Sequence, residues 1–238
     1  MPHTTIEEIV ASDRNFIHAC NLLQKKRSYA SLTPIRHAII PQYLIFINEN
    51  LKLSGHSEQI IKKRVELLNS YYEFLLDNGF DNTFTSQGKL RPTILEEFLY
   101  ILFKDLLKEL KETISDDNDI LNLGNAKAYT NLYFTAKNLK DFICTPNIGI
   151  NKKDQDFAIY RPITLKIDNG PTENVNIPIV SIEAKTYLDK TMLDGSIATA
   201  EKIKSGNPYA KYYVVAETYE VNPSVDPVYS RIDQIYVC

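Results

Sequence analysis

The chain has 238 residues and a formal net charge of −3, a length that suits one large domain or a core with a smaller helical module. With 44% hydrophobic and 24% charged residues, it can bury a sizeable core without disulfide or metal staples. The slightly acidic balance does not advertise nucleic-acid binding, nor does it exclude it, because the local face presented to phosphate decides.

The N-terminal Met1-Pro2-His3-Thr4-Thr5 lacks the basic and apolar regions of a secretory signal. The apolar run at 43–47 is far too short to span a bilayer, so no membrane partner is expected. Cysteines at 20, 144 and 238 are odd in number and widely spaced. They form neither a disulfide framework nor a zinc knuckle, and point to a reducing cytoplasm.

In chain order, the first half reads as helical. Segments 5–27, 34–53 and 57–78 carry apolar residues at three- and four-residue spacing, with Gly55 and Gly79 at plausible ends. A polar stretch covers 81–89. Pro92 stands where a first helical turn tolerates it, and 94–110 is a long helix rich in leucine and phenylalanine. An acidic loop follows at 115–119. Segment 124–134 mixes small, amide and aromatic residues; it suits either DNA contact or a packed loop. The pattern then predicts strands over 142–150, 156–167 and 175–187, rich in β-branched and aromatic residues. Asp168-Asn169-Gly170-Pro171 is a strong turn between the last two. Helical spacing returns over 192–204, Gly206-Asn207-Pro208 stops it, and 209–217 is another strand. Residues 233–238 read as the start of one more. The organisation expected is a helical module over 1–85 and an α/β core over 86–238, with a mixed central sheet flanked by helices at 92–112 and 192–204.

The chemistry-bearing residues lie in the strand region. If 175–187 is a strand, its side chains alternate. Val180, Ile182 and Ala184 then share one face, and Ser181, Glu183 and Lys185 the other. A carboxylate and an ammonium so project side by side from a strand that otherwise looks buried, which is costly unless they pair or hold a metal. Asp156 opens the preceding strand. If the two strands pair as a hairpin, Asp156 lies beside Glu183, and two hard carboxylates form a site with open positions that suits magnesium. A structural ion pair between Glu183 and Lys185 is the other reading.

Asp156 followed by Glu183-Ala184-Lys185 resembles the PD-(D/E)XK nuclease superfamily, with Gln155 where that family often has proline. Segment 89–99, entering a helix, is similar to the first helix of many restriction endonucleases, and places Glu97 toward the metal site with Glu96 as its competitor. The resemblance covers about 86–217 and looks closest to type II restriction enzymes, near the BbvCI/DdeI-type group. It implies a restriction-endonuclease-like fold and magnesium-dependent hydrolysis of double-stranded DNA, leaving 5′-phosphate and 3′-hydroxyl ends. Asp156 and Glu183 would be the metal ligands, Lys185 would act on the attacking water or the developing charge, and Glu97 would assist. One such site cuts one strand, so a homodimer or a related second subunit is expected. A structure- or damage-specific nuclease and a non-catalytic DNA-binding protein remain the alternatives.

Other features narrow the field. His3, His18, His37 and His56 all precede the strand region, which disfavours a histidine-metal nuclease or a histidine triad. No phosphate-binding glycine loop is present. Basic residues cluster at 25–27, 62–64, at Lys137 with Lys140, and at Lys202 with Lys204; Lys89 and Arg91 precede the long helix. Each cluster alone reads as a solvated face as readily as a phosphate contact.

Overall fold

In the computed structural model the described residues are 2–28, 34–80, 90–114, 121–166, 172–222 and 230–238. The expected turn at 168–171, the polar stretch at 81–89 with Lys89, and the acidic loop at 115–119 lie outside them. The chain divides into two compact units, one of Met1–Leu110 with Cys238 and one of Lys111–Val237.

The first unit is helical. It contains α1 (Ile6–Ser12), α2 (Ile17–Ser28), a π-helical turn (Ile35–Ile39) running into α3 (Ile40–Lys52), α4 (Glu58–Asp77) and α5 (Leu90–Ile114), the last continuing past the unit boundary. The periodic segment 5–27 is two helices rather than one. Asp13 ends α1 in extended backbone, and its side chain accepts from the Asn15 N–H at 2.9 Å, a local turn that competes with continued helix. Thr5 and Glu8 close a capping box on α1, the reciprocal arrangement that satisfies two otherwise orphaned donors. Ile9, Leu22, Ile39, Tyr43, Tyr71 and Phe98 are buried in the core. Arg64 is 2% exposed. Its guanidinium donates to the Asn50 and Leu53 carbonyls at 3.0 and 2.7 Å, capping α3 with a cation where the helix dipole is negative.

The second unit is built on a five-stranded mixed sheet of order β1-β2-β3-β4-β5, with β1 (Asn122–Thr135), β2 (Asn147–Lys166), β3 (Thr172–Leu188), β4 (Lys211–Tyr219) and β5 (Gln234–Val237). β1–β2 and β2–β3 pair antiparallel, β3–β4 and β4–β5 parallel. The parallel pair β3–β4 is joined by α7 (Lys190–Gly206), the crossover that parallel strands require. Asp189 caps α7 by accepting from the Met192 N–H at 2.7 Å. Leu193, Ala200 and Ile203 of α7 pack with Tyr212, Val214 and Ala216 of β4 in one buried cluster.

Two expectations change here. Segment 124–134, read as either a DNA contact or a packed loop, lies within a strand, β1. The predicted strand 142–150 is instead the end of a short helix, α6 (Leu139–Cys144), followed by the start of β2. No helix among the described residues is long and apolar enough to cross a membrane.

Candidate active site

The antiparallel register of β2 and β3 pairs Phe157 with Ile182 and Ala158 with Ser181. The ladder ends at the Phe157–Ile182 pair, and Asp156 and Glu183 are the next residues on the two strands. A side-chain bond closes that end of the pair: Asp156 Oδ2 accepts from the Ala184 N–H at 3.0 Å. The carboxylate of β2 therefore docks onto the backbone between Glu183 and Lys185.

The parallel register of β3 and β4 sets Ser181 beside Tyr212, Glu183 beside Val214 and Lys185 beside Ala216. Registered neighbours share a face of the sheet, so Glu183 and Lys185 project on the face that β4 turns toward α7. Glu183 is bound on both oxygens. Lys185 Nζ lies 2.6 Å from Oε1, and the Tyr212 hydroxyl donates to Oε2. The side chains of Lys185 and Glu183 are 25% and 20% exposed, enough for substrate and solvent to reach them.

Tyr212 is a site residue that sequence reading missed. It is fully buried, and burial first, then the Glu183 carboxylate, raise its phenol far above the ordinary range. It is therefore a hydrogen-bond donor at any working pH. Its backbone is fixed in turn by Asp233. The Tyr212 N–H donates to Asp233 Oδ2 at 2.7 Å, and the Asp233 N–H donates to the Tyr212 carbonyl at 2.8 Å. Lys204 and Lys211 also reach the Asp233 carboxylate, at 2.5 and 3.1 Å. Burial alone would raise the Asp233 carboxyl, but the Lys204, Tyr212 and Lys211 donors together hold it below its ordinary value. The only sequence signal for Tyr212 was its place at the head of the strand after α7.

The donor set fits a hard divalent cation. Two carboxylates on adjacent strands, both partly accessible, match magnesium's habit of taking one or two carboxylates and keeping water or phosphate in its other positions. Among the described residues no three His, Cys, Asp or Glu side chains gather into a metal cluster, so the Asp156 and Glu183 pair is the candidate.

Glu97 lies in the helical unit and is fully buried. Its Oε2 accepts from the His18 and Ala19 N–H groups at 2.9 and 3.1 Å, and its Oε1 from the Tyr43 hydroxyl at 2.8 Å. His18 and Ala19 are the second and third residues of α2, so Glu97 satisfies donors that an α-helix leaves open. Burial pushes the Glu97 carboxyl up to about 7 against the pull of those three donors. His18 is neutral, lowered by burial to about 3, with Thr93 Oγ1 at 2.9 Å from Nδ1 and the Tyr71 hydroxyl at 3.1 Å from Nε2. Glu96 beside it is 8% exposed. Arg91 lies over the Tyr72 ring, 5.3 Å from its centroid.

A search of curated proteins gives no sequence match. Among solved structures, a chain described as the native BbvCI A2B2 tetramer is similar over 94% of this chain and 82% of that one. The TM-score is 0.71 at 20% sequence identity, a likeness of fold. The family model of the Bpu10I restriction endonuclease matches residues 87–238. That stretch contains α5, the whole sheet and both candidate carboxylates, and on it the chain belongs to the Bpu10I restriction endonuclease family.

Proposed function

We propose that the protein cleaves double-stranded DNA at a defined sequence in a magnesium-dependent reaction, as a type II restriction endonuclease of the PD-(D/E)XK kind. The observation that carries the reading is the bond from the Ala184 N–H to Asp156, which holds one carboxylate against the segment that bears Glu183 and Lys185.

Asp156 and Glu183 would hold the cation. Its charge would polarise the phosphate and favour ionisation of a nearby water. The protein's own groups do the rest. Tyr212 fixes the Glu183 carboxylate through Oε2, so that the two carboxylates keep one spacing. Lys185, beside Oε1, stands where it can orient the attacking water, take its proton, or offset charge gathering on the phosphate. For a cation to use Oε1, Lys185 would turn away from Glu183, and the cation's charge would replace the ammonium's in the ion pair. Glu97 anchors α2, and any help it gives to the metal pair is tested below.

One such site hydrolyses one strand. Double-strand cleavage at a fixed position therefore needs a second site, from another copy or a related subunit. Digestion of a plasmid of known sequence with magnesium tests the reading. Discrete fragments are expected; structure-dependent cutting would mark a different nuclease, and binding without cutting a non-catalytic protein.

A further inference from the structure

The basic clusters of the sequence do not fare alike. In the helical unit Lys26 pairs with Glu7, Lys62 with Glu58 and Lys63 with Glu66, and Arg64 is spent on capping α3. Lys204 is held by Asp233. Lys137 and Lys140 are different. They belong to a stretch, 122–154, with five lysines against two aspartates and no glutamate, in a chain whose net charge is −3. Of the five, Lys152 pairs with Glu173. Lys127, Lys137, Lys140 and Lys153 are exposed and have no carboxylate partner among the described residues.

Beyond Thr130 and Asn151 this stretch is a projecting ribbon that carries Lys137 and Lys140; Lys127 and Lys153 lie on the sheet side of its root, where Lys127 registers with Asp154 and Lys153 with Ala128. The root is clamped where α7 ends: a Cβ on Gly206 would fall 1.6 Å from the Thr130 carbonyl oxygen, so the helix backbone rests directly on β1 there. Thr130 is buried, and its hydroxyl donates to the Asn151 carbonyl at 3.0 Å. Beyond Thr130 every β1 residue is exposed, and β1 and β2 stay paired out to Thr135 with Asn147. At the tip, α6 buries none of its residues. Tyr133 lies over Gly149, where a side chain would collide with its ring at 2.3 Å, a cross-strand contact that stiffens the ribbon.

We infer that the β1–α6–β2 ribbon is a DNA-gripping arm: Lys137 and Lys140 at its tip, with Lys127 and Lys153 at its root, contact duplex phosphates. The inference rests on the nuclease reading above and adds where the duplex is held. A two-stranded ribbon has the width the major groove accepts, and the six asparagines between 122 and 151 add donors and acceptors for phosphate or base edges. The arm is continuous with the site. Asn147, where the pairing ends beside the tip, and Asp156 lie on one strand, nine residues apart, about 31 Å at about 3.4 Å per residue. That is close to the roughly 34 Å turn of the duplex, so a duplex cut beside Asp156 passes the root lysines at once and the tip lysines within about one turn. Leu139, Phe142 and Ile143 at the tip are the kind of residues a contact between copies would use instead.

The test is duplex binding in calcium, across a range of salt, by the parent and by Lys127→Gln/Lys137→Gln/Lys140→Gln/Lys153→Gln, with plasmid cleavage in magnesium run beside it. Each lysine that leaves a phosphate lowers the slope of log affinity against log salt by about 0.9. The fourfold variant should therefore bind more weakly, with a slope smaller by about 3 to 4, at an unchanged melting temperature. If it is poorly folded, Lys137→Gln/Lys140→Gln alone should lower the slope by about 2. Unchanged affinity and slope would overturn the arm, and a parent that cuts normally would leave the nuclease reading standing. Parent binding that depends on these lysines, without cleavage in any divalent metal, would uphold the arm and sink the nuclease reading. No duplex binding by the parent would sink both. Conversion of an oligomer to monomers by Leu139→Ser/Phe142→Ser/Ile143→Ser, with the lysine variant binding as the parent does, would assign the arm to a contact between copies and overturn the proposal.

Discussion

The Tyr212 hydroxyl donates to Glu183 Oε2 across the β4–β3 boundary, so a buried phenol on one strand sets the direction of a candidate metal ligand on the next. Asp233 holds the Tyr212 backbone through both its N–H and its carbonyl, and the chain of bonds runs from Asp233, just before β5, into the site.

Tyr212→Phe keeps the ring in the α7 cluster and removes the bond to Glu183 together with a side-chain hydrogen bond to Thr199. Loss of a group that orients a metal ligand costs about 10- to 100-fold in metal affinity or activity. The magnesium concentration for half-maximal cleavage should rise, and manganese binding, read by its electron spin resonance signal, should weaken in step. A purely structural hydroxyl would lower the melting temperature and leave both metal readings alone.

Glu97→Gln separates two roles. As an anchor, Glu97 receives three donors, and an amide cannot accept them all without turning its own N–H groups toward some. Stability should then fall by about 1–3 kcal/mol, while cleavage per folded molecule stays near the parent value. A variant that melts like the parent and does not cut would instead place Glu97 in the chemistry.

The same buried pair gives opposite pH signatures. Glu97 titrates near 7 in the fold against an ordinary 4.5. Between those values the folded state keeps a proton that the unfolded chain has released, so its contribution to stability is greatest below about 4.5 and is lost as pH rises toward 7. His18 titrates near 3 against an ordinary 6.5. There the unfolded chain takes up a proton that the fold refuses, and stability is lost as pH falls from 6.5 toward 3. Melting curves across pH should show the parent's difference from Glu97→Gln changing with the first sign and its difference from His18→Gln with the second. The same sign for both would show that the network is not charged and neutral in the way described.

Much of the candidate site's layout is legible in the sequence because it is local. Alternation along 180–185 fixes which side chains share a face, and the run of turn residues after 167 favours pairing of the two strands that carry Asp156 and Glu183. What escaped is non-local or locally atypical. Tyr212 reaches Glu183 only through the parallel register of two strands separated by α7, and no spacing rule records that. β1 was obscured by its register shifts between Gly124 and Ala126 and between Tyr129 and Asn131, and by exposure of both faces from 131 to 135, which erases alternation. Phe142 and Ile143 read as strand because they are apolar and bulky, yet they stand exposed on α6, where tertiary burial does not select for a pattern.

On the proposed reading Asp156, Glu183 and Lys185 form a metal-dependent cleavage site and not a structural ion pair. Thermal melting measured beside plasmid cleavage for Asp156→Ala and Lys185→Ala separates the two. Asp156→Ala forfeits the bond from Ala184, and Lys185→Ala leaves Glu183 still bound by Tyr212, so each should stay within about 1–2 kcal/mol of the parent. Neither should cut, and Lys185→Ala should still bind manganese. Early melting, by about 3–5 kcal/mol, or cleavage at the parent rate would mark a structural ion pair instead.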